Sequence, residues 1–413
     1  MNSRERVLAA IDHTEPDRVP IDIGGSIVTG IMAGALARLL PFLGLENQRV
    51  TIHDQFQMLG EVTPQIAEKL KVDVIPVEPE AISFNLRNRN FKPWRLFDGT
   101  EVLVPGEFNV EISSEGDWLM HDGGDRTRPV VARMPRNGFY FDQLSITGWD
   151  KDYRPPSVEE LRRTGWRRLK EPELVFFQER ARTLRESTDK ALHFTNWGDA
   201  TLGPAWIGSV AEWLVLLVTE KEYVRELMDL ALETAIQNLK LYWQALGPNI
   251  DIISIDGYDL GSQRSELFSP KIFEEFYEPC YHAQCEWIHQ NTPWKIFKHC
   301  CGSITRTIEP MIRAGIDILN PVQTSAVGMD PVWLKQQFGD RITFWGGGID
   351  TQRILPFASS EEVYHHVADR LRVFAPGGGF IWSPIHNIQY NVPPENVMAA
   401  LQAVYDFGKY PIR

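Results

Sequence analysis

The sequence predicts an α/β chain folded as a (β/α)8 TIM-type barrel, with a β-rich insertion after the second strand. Three observations predict it. Eight short apolar runs, at 18–23, 72–77, 191–195, 250–255, 294–298, 316–319, 342–345 and 379–383, each precede a helical stretch. Polar residues follow the apolar run at nearly every strand end, where a barrel gathers its chemistry. A doubly wound open sheet would normally carry a glycine-rich phosphate loop after its first strand, and Gly24-Gly25-Ser26 lacks that spacing.

The elements follow in order. Residues 2–12 form an opening helix, with Asn2 and Glu5 in capping-box spacing and Val7, Leu8 and Ile11 as an apolar stripe. Pro16 stops it. After the first strand, 28–44 and 56–70 read as helices, with a short extended piece at 50–53 between them. The rhythm breaks over 80–148, where an Asp98-Gly99 turn and short alternating runs at 101–104, 110–112, 118–121 and 130–132 predict hairpins packed over the barrel. From Ser157 the α/β rhythm resumes: helices are expected at 157–187, 207–218, 220–246, 270–290, 303–313, 330–338, 360–374 and 394–408. The reading is thus one domain spanning 1–413, with 80–148 as its insertion.

Composition narrows the partners. Net charge is −13, from 42 basic and 55 acidic residues. That argues against nucleic acid and anionic membranes, which need a basic footprint. No apolar run is long enough to cross a bilayer, and the opening Met-Asn-Ser-Arg-Glu-Arg lacks a signal-peptide stretch, so the expected compartment is the cytoplasm. Of the four cysteines, Cys300 and Cys301 are adjacent, a poor arrangement for a structural disulfide; beside His299 they point to metal or chemistry.

The candidate residues sit at the strand ends. His299 and Cys301, at i and i+2 on an extended strand end, share one side and make a half-site for a borderline metal such as zinc. His386 follows the last strand and supplies a third donor; the alternative is a histidine hydrogen-bonded in its loop. Three protein ligands and an open position form the pattern of a catalytic zinc site. Cys300 points the other way, into the core. Asp256, with Asp259 and Gln263 in the same loop, is a candidate proton donor or loop cap. Gly346, Gly347 and Gly348 are a candidate phosphate or cofactor cradle, with close packing of the strand end as the other reading. Asn196, Gln263, Asn320 and Gln323 are candidate substrate contacts.

Taken together, "RERVLAAIDHTEPDRVPID", "KHCCGSI", "AGIDILNPVQ", "FWGGGIDTQRILPF", "EEVYHHV" and "SPIHNIQYNVPPENVMAAL" resemble the uroporphyrinogen decarboxylase superfamily, whose fold is the (β/α)8 barrel. That superfamily divides into cofactor-free decarboxylases and zinc-dependent cobamide methyltransferases. The decarboxylases grip carboxylates through an arginine-bearing motif near the first strand, and no arginine lies between Arg18 and Arg38 here. The methyltransferases carry a His-x-Cys pair plus a later cysteine; His299 and Cys301 match the pair, and His386 stands where the cysteine would be. The resemblance therefore implies a zinc-dependent methyltransferase. It would move methyl between a small substrate (a methyl ether, methoxylated aromatic or thiol) and a corrinoid (cobalamin) cofactor on a partner protein. A metal-free decarboxylase or lyase of a smaller acid, and a non-catalytic corrinoid or tetrapyrrole binder, are the alternatives.

Overall fold

The computed structural model describes residues 1–148, 150–195 and 207–412. Seven strands, Val74–Val77, Ala191–Phe194, Ile252–Asp256, Lys295–His299, Ile318–Asn320, Thr343–Trp345 and Phe380–Ile381, pair in chain order, each parallel to the next. The eighth place belongs to residues 18–23, which hold no continuous ladder. Ile21 bridges Trp382 in parallel. Trp382 N donates to Pro20 O and Asp22 N to Trp382 O, both at 2.9 Å, while Asp73 N donates to Ile21 O at 2.8 Å. This segment thus joins the two edge strands and closes the ring. It is irregular because Pro20 has no N–H and the Asp73 carboxylate captures Ile21 N at 2.9 Å.

Strand alternation fills the ring. Val74, Ala191, Ile252, Phe297, Ile318, Trp345 and Ile381, one from each strand, form an inner cluster together with Val7, Ala10 and Ile11 of the helix Ser3–Ile11. That helix covers the amino end of the barrel, capped by the reciprocal Asn2–Glu5 bonds expected from sequence. Outward-facing strand residues pack beneath the helices in the larger cluster. The carboxyl end of the barrel, where strands 295–299 and 318–320 finish in His299 and Asn320, is left for the site.

Several helices depart from their patterns, and proline explains two of the departures. The expected helix 56–70 exists only as Pro64–Lys69, capped by Thr63. Pro64 starts a helix readily but holds the residue before it out of the α region. Leu59–Gly60 instead pairs antiparallel with Val50–Asp54. In the expected helix 270–290, Phe273–Tyr277 widens into a π turn just before Pro279, whose ring cannot accept the regular ladder. The 157–187 region splits at Gly165 into Val158–Thr164 and Glu171–Ser187. Over 80–148, the hairpin Lys92–Arg95/Glu101–Val104 joins Val50–Asp54 in parallel. A separate meander runs through Val110–Ile112, Trp118–His121, Val130–Met134 and Asp142–Gln143. No helix among the described residues is long and apolar enough to cross a membrane.

Where the strand Val50–Asp54 meets the end of Val74–Val77, His53 Nδ1 lies 2.9 Å from the Glu78 carboxylate. Burial alone would lower this imidazole, but Glu78, with help from Asp54 and Glu61, more than reverses it and raises it to about 9. A histidine held above its unfolded value of about 6.5 contributes stability that is complete below that pH and is lost as pH rises through 9. We expect the stability difference between the native protein and His53→Gln to shrink by about 3 kcal/mol between pH 6 and pH 10. Urea unfolding at both pH values measures it, and a difference independent of pH would refute the pair's contribution.

Candidate metal centre

The site grows out of the strand Lys295–His299. Phe297 belongs to the inner cluster, so His299 also faces inward, while Ile296 and Cys300 lie in the outer layer. Cys301 returns to the barrel mouth, where its Sγ lies 3.5 Å from His299 Nε2. The next residue, Gly302, has φ +99°, and a Cβ there would meet the backbone of Gly261 at 2.4 Å. Glycine at this position therefore lets the loop after Ile252–Asp256 press against the loop that carries Cys301.

A hydrogen-bond chain fixes the histidine. Asn320 Nδ2 donates to Trp345 O at 2.9 Å, which turns its Oδ1 toward His299 Nδ1 at 2.7 Å. Nδ1 therefore carries the proton and Nε2 presents its lone pair to the mouth, the arrangement that buried imidazole ligands need. Asn320 was expected to contact substrate; its amide is committed to positioning His299. His386, from the loop after the last strand, brings its ring centroid to 5.7 Å from that of His299. One donor atom each from His299, Cys301 and His386 lie within 4.8 Å of one another.

These donors fit a zinc-sized ion. Zinc–nitrogen and zinc–sulfur bond lengths give a tetrahedral N···S edge of about 3.6 Å, against the 3.5 Å between His299 Nε2 and Cys301 Sγ. The chemistry also fits. Burial lowers His299 to about 4, and burial with the neighbouring His299 lowers His386 to about 4, so both imidazoles are neutral, the form in which histidine ligates a metal. Burial and then the Asp259 carboxylate push the Cys301 thiol well above its ordinary range. A divalent cation would reverse that penalty and favour the thiolate.

Asp256 does not face the mouth. Ser254 pairs with Phe297 and Asp256 with Lys298, so one extra residue, Ile255, sits in this strand as a bulge. The bulge breaks the alternation that would have turned Asp256 inward. Its Oδ1 pairs with Lys298 and its Oδ2 accepts the Tyr281 hydroxyl, all of them buried. A carboxylate so engaged cannot serve as the proton donor expected from sequence. The acid beside the cluster is Asp259, whose Oδ1 accepts from Cys301 N at 2.7 Å and lies 3.8 Å from His299 Nε2.

Cys301 and His386 line an open cavity of about 530 Å³ together with Gln323, Thr351, Gln352, Phe357, Gln389 and Asn391. Among the described lining residues none is charged. Gln323 is held by Gly302 N on one side and by the Gln263 side chain on the other, so Gln263 supports the wall from the exposed rim. Asn196 lies outside the described residues. Gly346, Gly347 and Gly348 do not form a phosphate cradle. Gly346 N donates to Ile381 O and Gly348 N to Ser383 O, and a Cβ on Gly348 would meet Trp382 at 2.4 Å, so close packing requires them. Thr351, Gln352, Gln389 and Asn391 went unread from the sequence. Each follows a strand by several residues, and nothing in its local pattern separates it from an ordinary polar loop.

The fold and this site define a barrel protein with three candidate metal donors, His299, Cys301 and His386, at the carboxyl ends of its strands. Residues 207–407 match the uroporphyrinogen decarboxylase (URO-D) family, in agreement with the motifs, and this stretch holds all three donors. No curated protein sequence matches the chain. Among solved structures, a methyltransferase from Methanosarcina mazei aligns over 98% of this chain and 99% of its own, at 15% identity and a TM-score of 0.52, which shows the shared fold.

Proposed function

We propose that the protein is a zinc-dependent methyltransferase that moves a methyl group between a small neutral substrate and a corrinoid carried by a partner protein. The observation that carries this reading is the convergence of His299, Cys301 and His386 at the wall of an open cavity. Bound there, zinc would act as a Lewis acid toward an oxygen or sulfur of the substrate. His299 and His386 would hold it as neutral donors and Cys301 as its one thiolate. A single thiolate leaves the ion more electrophilic than a sulfur-rich set would, which favours an ether oxygen as the activated atom.

The protein's own groups then define the substrate. Four amides and a threonine offer neutral donors and acceptors, and Phe357 with Ile385 supplies apolar surface. This lining suits a methoxylated, uncharged molecule. It offers no cationic partner to a polycarboxylate, which speaks against porphyrinogen decarboxylation. Phe357 is 73% exposed at the mouth, an apolar side chain where a corrinoid-bearing partner would approach.

Elemental analysis tests the proposal. Protein prepared anaerobically with added zinc is expected to hold about one zinc per chain by the three-donor criterion. His299→Ala and Cys301→Ser should lose it while keeping their far-ultraviolet circular dichroism. Native protein free of metal under these conditions would overturn the reading and turn the search to cofactor-free lyase chemistry.

A further inference from the structure

Three donors leave a fourth corner on a tetrahedral ion, and the Asp259 carboxylate comes within 3.8 Å of one of them. Asp259 Oδ1 is 3.8 Å from His299 Nε2, the same nitrogen that lies 3.5 Å from Cys301 Sγ. The loop carrying Asp259 is pinned on both sides. Lys298 Nζ donates to Tyr258 O at 2.8 Å, and Gly261 abuts Gly302. Cys301 N also donates to the Asp259 carboxylate. The Asp259 side chain is nevertheless 48% exposed, so it is anchored next to the donors without being sealed from solvent.

We infer that Asp259 is the fourth ligand of the metal in the substrate-free protein, completing a set of two nitrogens, one sulfur and one oxygen. The inference rests on the metal reading above. A hard carboxylate oxygen on a borderline ion, held by a half-exposed side chain, is the ligand best placed to yield to a substrate oxygen. If Asp259 were only a loop cap, its bond to Cys301 N would be its whole role, and an asparagine would serve equally well.

Asp259→Asn keeps an acceptor for Cys301 N and removes the anionic ligand; Asp259→Ala removes both. Zinc affinity would be measured by chelator competition on the full chain without substrate, and the visible spectrum recorded after cobalt(II) substitution. We expect both variants to bind zinc at least about 10- to 100-fold more weakly than the native protein, and both to show an altered cobalt(II) spectrum. Native affinity and spectrum in Asp259→Asn would refute the ligand role, as would weakening in Asp259→Ala alone. Weaker binding with an unchanged spectrum would also refute it, by marking Asp259 as a nearby charge. A native protein that binds no metal would fail the parent reading itself, and with it this one.

Discussion

Lys298→Met is expected to lower stability by about 3–5 kcal/mol, the cost of stranding one member of a buried ion pair. Lys298 and Asp256 side chains are both 0% exposed. The ammonium also donates to the carbonyls of Tyr258 and His299, and the carboxylate accepts from Tyr281. Methionine fits the volume of the stem but leaves the carboxylate charged, desolvated and short of its main partner. Adding Asp256→Asn to Lys298→Met should recover much of the loss, because a neutral amide no longer needs a cation. Chemical denaturation of chelator-treated protein measures both variants free of any metal contribution. The effect should reach the site as well. Lys298 ties residues 256–258 to the strand end carrying His299, so its loss frees the loop that bears Asp259. A cost below about 1 kcal/mol, or a double variant as unstable as the sum of the singles, would show that the pair does not act as a unit.

The same Lys298–Asp256 pair shows where sequence reading stops. Strand positions from 72 onward were legible because each combines a compact apolar run with a polar terminus, and seven of the eight form regular ladders. His299 and Cys301 were legible for the related reason that period-two alternation puts them on one side. Asp256 obeyed the same pattern on paper, and the bulge at Ile255 reversed it. A bulge adds one residue to one strand only relative to its partner, so no local pattern within 250–256 announces it. Asn320 raises a different difficulty. Its residue type and strand-end place suggested a ligand contact, whereas its role is set by a carbonyl 25 residues away, on Trp345. Pro64, by contrast, was a readable signal that the helix pattern of 56–70 obscured.

Asp73→Ala is the second large expected effect, and it acts at the opposite end of the barrel. The Asp73 carboxylate is 0% exposed and takes hydrogen bonds from Arg6, Arg18, Ser3 and Ile21 N, at 2.7 to 2.9 Å. It neutralises two guanidinium groups and captures the backbone of the segment that closes the ring. Alanine would leave Arg6, 9% exposed, with Asp17 as its remaining carboxylate, and would strip Ile21 N of its acceptor, leaving the backbone bond from residue 73 N to Ile21 O as the tie to that edge. The predicted cost is again about 3–5 kcal/mol, a large share of the 5–15 kcal/mol that holds a typical domain folded. Unlike Lys298, Asp73 belongs to the amino end, away from the donors. Folded Asp73→Ala protein should therefore bind zinc with native stoichiometry and affinity while unfolding at a lower urea concentration. Equal losses of stability and metal affinity would mean that closure of the ring at residues 18–23 also sets the geometry of the mouth. Unchanged stability would mean that the arginines find solvent or other partners and that the backbone bonds of the closing segment, to Trp382 and from residue 73 N, hold it without the carboxylate.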